Sequence, residues 1–214
     1  SYCPKCGQPL KWYDMVPVFS WIFLGGKCRN CKEKISARYP IVESLNAVLW
    51  TLSAYFIGLN ANAFIYDALF SALIVMTFID IDTKEIPNGI VVFIIILSIP
   101  LFFTAKDVVW WHRLVGAVVI SVPLYVIALV TGGIGGGDIK LYFALGLVLG
   151  LYPTLVSAFI AIVSAGLIGG VLLLTKKVRK GYELPLGPFI ALGAVVTVFA
   201  GTPIIDGIKN LFGI

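Results

Sequence analysis

Seven long apolar windows constrain the fold of this chain more than any other feature. They lie near residues 40–59, 63–79, 89–104, 114–131, 139–152, 154–174 and 187–202. A membrane helix needs about 20 apolar residues, and fewer where other helices surround it. With 59% hydrophobic and 13% charged residues, the chain cannot hide its apolar side chains in one water-soluble core. We therefore predict an all-α polytopic membrane protein with about seven transmembrane helices.

Lysine and arginine are distributed unevenly between the two sides of these predicted helices. If the N-terminal segment is cytoplasmic, 13 of the 16 basic residues are inside, and Lys106, Arg113 and Lys209 are outside. Inner loops of membrane proteins carry such an excess, which predicts a cytoplasmic N-terminal segment in a plasma membrane. Attraction to anionic lipid also explains the net charge of +5. We therefore expect membrane lipid, and not nucleic acid, to be the partner of the basic residues.

All four cysteines precede the first apolar window, as the pairs "CPKC" and "CRNC". Cys3 and Cys6 are separated from Cys28 and Cys31 by 21 residues. Two CxxC pairs in this arrangement are typical of a four-thiolate zinc site. Four protein ligands leave no open coordination position, so the zinc is expected to be structural. Two disulfides are the alternative, which a reducing cytoplasm disfavours.

Four acidic residues fall inside or at the edge of the apolar windows, namely Glu43, Asp67, Asp80 and Asp138. A carboxylate is costly in a bilayer unless it is paired, protonated or hydrated, so each is a functional candidate. Asp67 lies near the outer end of its window, where we expect water to reach it. Asp80 ends the second window and Asp138 opens the fifth. The predicted topology places both at cytoplasmic helix ends, although they are 58 residues apart in the chain.

Two carboxyl groups at one site share a proton, which leaves one acid and one base at neutral pH. Such a pair can activate water and protonate an amide leaving group without a metal or cofactor. Asp82 should face away from Asp80 on a continuous helix, so we expect one of the two to be a loop acid. Lys140 could steady a carboxylate or simply follow the positive-inside pattern.

The segment "GGIGGGDIKL" places five glycines directly before Asp138. Glycine adopts backbone conformations closed to other residues and lets another chain approach closely. The N–H groups at the start of the next helix favour an anion. We expect a substrate strand to lie against this loop, although glycine also permits tight helix packing in membranes.

Several motifs together resemble the bacterial type IV prepilin peptidases, membrane aspartic proteases of the GxGD class. They are the two CxxC pairs, "WYDMVPVFSW", "ISARYPIVE", "FIDIDTKEIPN", "GGIGGGDIKL" and "ELPLGPFIALG", in the order of that family. The resemblance implies Asp80 and Asp138 as the catalytic pair, and Gly135 and Gly137 as the glycines of GxGD. It also implies cleavage of the basic leader of prepilins or pseudopilins after a glycine, at the cytoplasmic membrane face.

Family members with the cysteine domain usually also methylate the new N-terminal amine, so the resemblance implies S-adenosylmethionine as a cofactor. The sequence contains no Gly-rich loop after a strand that would bind a nucleotide. Glu43 could help to bind the cofactor or the amine, or could pair with Arg38 or a lysine. We expect residues 1–39 to form the cytoplasmic zinc-binding, methyltransferase-associated domain, and residues 40–214 the transmembrane aspartyl peptidase domain.

The family has about eight membrane helices and places one before the first CxxC pair, whereas we expect seven in this sequence. Two other functions remain open. A proton-coupled transporter would use Asp80 and Asp138 as a relay, but no charged residue continues the path. A non-catalytic scaffold for pilin assembly would bind prepilins without Asp-dependent cleavage.

Overall fold

The computed structural model describes residues 1–105, 108–177 and 184–212. Lys106, Arg179 and Lys180, which contribute to the charge argument, lie outside these ranges, and the side chain of Lys209 is not described either. The chain divides into two compact units, Ser1–Leu52 and Ser53–Ile214.

The first unit is built around two similar cysteine turns. In each turn the N–H after the second cysteine donates to the carbonyl of the first, from Gly7 to Cys3 at 2.8 Å and from Lys32 to Cys28 at 3.1 Å. Both donors have a left-handed backbone, with φ of 70° at Gly7 and 59° at Lys32. Antiparallel bridges between Tyr2 and Pro9 and between Lys27 and Lys34 close the two turns.

Short helical segments connect and follow these turns. A 3-10 turn covers Trp12–Met15, and helix α1 covers Phe19–Phe23. Asp14 ties the 3-10 turn to the second cysteine turn, because its Oδ1 accepts hydrogen bonds from Nε and Nη2 of Arg29 at 2.9 and 2.6 Å. The Arg29 guanidinium lowers the pKa of Asp14 accordingly.

The long helices in the described residues correspond to the seven predicted windows. They are α2 (Arg38–Phe56), α3 (Ala61–Thr83), α4 (Asn88–Thr104), α5 (Trp110–Thr131), α6 (Gly136–Leu149), α7 (Leu151–Leu174) and α8 (Gly187–Phe212). Apart from isolated bridges, the described residues form no β-structure, which confirms the all-helical prediction for this part of the chain.

Four of the described helices meet the length and composition expected of a membrane span. Ala61–Thr83, Trp110–Thr131, Leu151–Leu174 and Gly187–Gly207 are long and apolar enough to cross a membrane, and Asn88–Thr104 is a shorter apolar helix. Several such helices in one chain are what the predicted multi-pass membrane protein requires. Seven crossings remain a prediction.

Helix α6 is the centre of the second unit. Leu141, Tyr142 and residues 144–149 are all buried, and Phe143 is the exposed residue in this stretch. Most of the helix surface after its first turn is therefore covered by protein. Helices α4, α5, α7 and α8 contact it, and α3 packs against α4 and α8. A 14-residue helix is about 21 Å long, less than the thickness of a bilayer core. This burial explains why the fifth window is so short.

Backbone contact between α5 and α6 fixes the position of α6. A side chain at Gly146 would overlap the backbone of Gly116, and one at Gly116 would lie 2.7 Å from the carbonyl carbon of Gly150. Arg113 is 0% exposed, and its Nη1 donates to the carbonyls of Leu147 and Val148 at the end of α6. The predicted window begins after Arg113, but in the structure Arg113 lies in the first turn of α5, where it caps the neighbouring helix. Its position on the outer side remains a prediction.

Gly146→Ala should therefore lower the stability of the second unit sharply, because neither backbone can retreat without moving a whole helix. We expect a loss of about 2 kcal/mol or more, measured as a lower unfolding temperature in detergent. Gly166→Ala is the matched control, because nothing lies within 4 Å of its added methyl group. An unfolding temperature for Gly146→Ala equal to that of the control would contradict the close approach.

Candidate active site

Asp80 lies in the last turn of α3 and is 4% exposed. Its Oδ2 accepts a hydrogen bond of 2.8 Å from the backbone N–H of Gly187, the first residue of α8. The N-terminal turn of a helix carries unpaired N–H groups and a partial positive charge, which stabilise a carboxylate. The buried Asp80 side chain therefore has a defined partner and a fixed orientation.

Asp138 is the third residue of α6, in its first turn. Its side chain is partly buried, and its carboxyl group is near enough to that of Asp80 to interact with it electrostatically. The two carboxyl groups, from distant parts of the chain, thus interact electrostatically, as the predicted pair requires. Their role as a catalytic pair remains a proposal.

The turn between α3 and α4 holds the start of α6 beside Asp80. A side chain at Gly137 would lie 2.9 Å from Cβ of Ile86, so the turn packs directly on the α6 backbone. Lys140, one turn further, donates from Nζ to Oδ1 of Asn88 at 3.0 Å. Lys140 therefore links α6 to α4.

The remaining glycines of the loop have different surroundings. Gly132 ends α5 in a left-handed conformation with φ of 64°. At Gly135 a side chain would lie 3.2 Å from Oδ2 of Asp138, which is tight. Among the described residues, Ile86 makes a close approach at Gly137. The expected contact of a substrate strand with this loop remains a prediction. Supporting roles for Gly135 and Gly137 in catalysis remain predictions.

Asp82 and Asp67 lie on the same helix as Asp80 but in other environments. Helix α3 continues to Thr83, so Asp82 is not a loop acid as we had allowed. It is exposed while Asp80 is buried, in agreement with the expectation that the two face different sides. Its supporting role is untested. Asp67 is 6% exposed, so the expectation that water reaches it was wrong.

Glu43 contacts a strained part of the first unit. Its Oε2 accepts a hydrogen bond of 2.8 Å from the backbone N–H of Val18. Val18 has φ of 63° and ψ of −54°, which is unfavourable for a β-branched residue. This hydrogen bond fits a structural role for Glu43. Its part in binding S-adenosylmethionine remains a prediction.

The four cysteine sulfurs come together as a zinc site requires. The Sγ atoms of Cys3, Cys6, Cys28 and Cys31 all lie within 4.8 Å of one another, and those of Cys3 and Cys31 are 3.9 Å apart. Zinc–sulfur bonds of about 2.3 Å in a tetrahedron place the sulfurs about 3.8 Å apart. All four cysteines are free, and Asn30 donates from Nδ2 to Sγ of Cys6 at 3.8 Å. The donor set therefore fits structural zinc.

Gly187 is a residue of the site that sequence reasoning missed. It stands between two prolines in "LPLGPF", within a motif that we had noted without assigning a role. Its contact with Asp80 spans 107 residues of chain, and no local pattern predicts such a pairing.

Comparisons with known proteins identify the family. Residues 1–57 match the model of the bacterial peptidase A24 N-terminal domain, and residues 68–170 match that of the type IV leader peptidase family. A prepilin leader peptidase/N-methyltransferase of Bacillus subtilis (strain 168) is 34% identical over 208 residues, covering 96% of this chain and 84% of the relative. The chain belongs to the type IV leader peptidase family.

Other relatives carry the same description. Proteins named prepilin leader peptidase/N-methyltransferase from Burkholderia pseudomallei (strain 1026b) and Neisseria gonorrhoeae are each 34% identical. They cover 95% and 90% of this chain, and the matches cover 68% of each relative. No solved structure matches this chain significantly. Family membership and apolar helices together indicate a multi-pass protein of the inner membrane, and the family is one of peptidases.

Proposed function

We propose that the protein removes the leader peptide of type IV prepilins or pseudopilins through an aspartate pair. The electrostatic interaction between Asp80, at the end of α3, and Asp138, at the start of α6, carries the proposal, because both acids are costly in a membrane. The packing of Ile86, which follows α3, against Gly137 supports it. Membership of the leader peptidase family supports the substrate class.

In peptide hydrolysis, one carboxyl group would act as the base and the other as the acid. The ionised one takes a proton from water, and the water oxygen attacks the carbonyl carbon of the scissile bond. The protonated one donates to the developing oxyanion. The C–N bond then breaks as a proton passes to the leaving amine, giving a free N-terminus and a carboxylic acid. No step requires a metal ion.

The cytoplasmic side of the membrane is the proposed location of the aspartate pair and of the two cysteine turns. The excess of basic residues on that side supports it, including Lys140 beside Asp138. A basic leader peptide ending in glycine is then the substrate that meets the two acids, while its apolar helix remains in lipid. Glycine before the scissile bond suits a narrow site, since it adds no side chain.

N-methylation of the new N-terminal residue is the proposed second activity. The names of the relatives support it, and S-adenosylmethionine would supply the methyl group. Zinc, held by Cys3, Cys6, Cys28 and Cys31, would stabilise the first unit and take no part in either reaction. Four thiolates fill its coordination sphere, so it has no position for water.

The test is conversion of a purified prepilin by the purified protein in lipid nanodiscs, followed by mass spectrometry of the N-terminus. We expect loss of the leader after glycine, and a further gain of about 14 Da only when S-adenosylmethionine is present, the mass of one methylene unit. Binding of prepilin without cleavage would contradict the peptidase and favour a scaffold. Cleavage without the mass gain would contradict the methyltransferase alone.

A further inference from the structure

At Gly187 the start of α8 donates a backbone hydrogen bond to an acidic side chain, that of Asp80. The bond is buried, and it joins the first residue of α8 to the last turn of α3. We propose that Gly187 is a positioning residue of the aspartate pair, an inference that rests on the proposed function. Its N–H holds Oδ2 of Asp80, and its missing side chain leaves room for the carboxyl group.

The steric part of this role follows from the surroundings of Gly187. A Cβ atom there would lie 2.7 Å from Oδ2 of Asp80, 2.8 Å from Sδ of Met76 and 3.1 Å from Cβ of Asp80. The thioether of Met76 can move, because methionine is flexible. The Asp80 carboxyl carbon lies only two bonds from Cα and has less freedom. An added methyl group would therefore displace the carboxyl group.

The electrostatic part follows from the place of Gly187 in its helix. The next residue, Pro188, has no N–H and cannot replace Gly187 as the donor. The Gly187 N–H donates to Oδ2 and not to Oδ1, so the two oxygens of the Asp80 carboxyl group have different surroundings. Gly187 thus fixes the orientation of the carboxyl group.

Gly187→Ala is the first variant to measure. A shift of the carboxyl group by about 1 Å should lower kcat for prepilin cleavage about 100-fold. KM should stay within about threefold of the wild-type value, since no substrate-binding group is changed. Gly201→Ala adds a methyl group to the same helix, where only Thr197 is near, with Cγ2 at 3.1 Å. It should keep the wild-type kcat.

A thermal-unfolding cycle tests the contact independently of activity. Gly187→Ala should lower the unfolding temperature in the wild type, and lower it clearly less in an Asp80→Ala background, where Oδ2 is absent. Equal losses in both backgrounds, or a wild-type kcat for Gly187→Ala, would overturn the proposal. If the wild type cuts no prepilin, the peptidase proposal fails, while the unfolding cycle still decides whether Gly187 holds Asp80.

Discussion

Asp80→Asn and Asp138→Asn should each reduce leader cleavage about 1000-fold or more, because each removes one proton-transfer group of the pair. Asparagine has the shape of aspartate, and its carbonyl oxygen can still accept the hydrogen bond from Gly187 at position 80. Loss of activity should therefore occur without loss of folding. The measurement is the initial rate of prepilin cleavage in nanodiscs, with unfolding temperature and bound zinc determined on the same samples.

Asp67→Asn is the matched control for this pair of variants. Asp67 is a buried acid on the same helix as Asp80, but the structure places no second carboxyl group beside it among the described residues. Its variant should cleave at close to the wild-type rate. Wild-type activity of either Asp80→Asn or Asp138→Asn would refute the catalytic pair, and equal loss in all three variants would indicate a general effect of removing buried charge.

Removal of zinc should unfold the part of the first unit that contains the two cysteine turns. Cys3 and Cys28 are its buried cysteines, and neither α1 nor the 3-10 turn before it contributes a buried residue. With so little core, the metal must supply the stabilisation, and structural zinc binds such sites with about 10–16 kcal/mol. Cys3→Ser and Cys28→Ser should therefore lose bound zinc and become sensitive to protease in residues 1–37.

Lys5→Ser, within the first cysteine turn, is the control that should retain zinc and protease resistance. Zinc content by mass spectrometry and limited proteolysis with a chelator, then with zinc restored, would measure both properties. The disulfide alternative makes the opposite prediction, since a reductant without chelator would then unfold the unit. Protease resistance that survives the chelator but not the reductant would exclude the zinc site.

Local patterns were sufficient to predict most of the helices. The window at 89–104 corresponds to α4. The window at 154–174 corresponds to α7, which begins three residues earlier, at Leu151. Lipid and neighbouring helices both accept apolar side chains, so a run of such residues is helical wherever it packs. The cysteine spacing likewise predicted the clustered thiolates, because each CxxC pair is a local turn.

Side-chain environments were harder to predict than helices. Hydropathy began the fourth window after Arg113 because this residue is charged, yet its guanidinium is buried where it caps α6. The expectation that water reaches Asp67 was wrong for the same reason, since burial depends on which helices pack around a residue. Glu43 was a cofactor candidate in the sequence, and the structure gives it a contact with Val18.

The sequence by itself therefore determined the helices, the cysteine cluster and the identity of the two acids, because each depends on hydropathy or on spacing within a short segment. Only the tertiary structure decided that Asp80 interacts electrostatically with Asp138 and accepts a hydrogen bond from Gly187. These interactions join residues 58 and 107 positions apart. They exist because other helices pack around α6 and glycine backbones let the helices touch, which no single segment of sequence encodes.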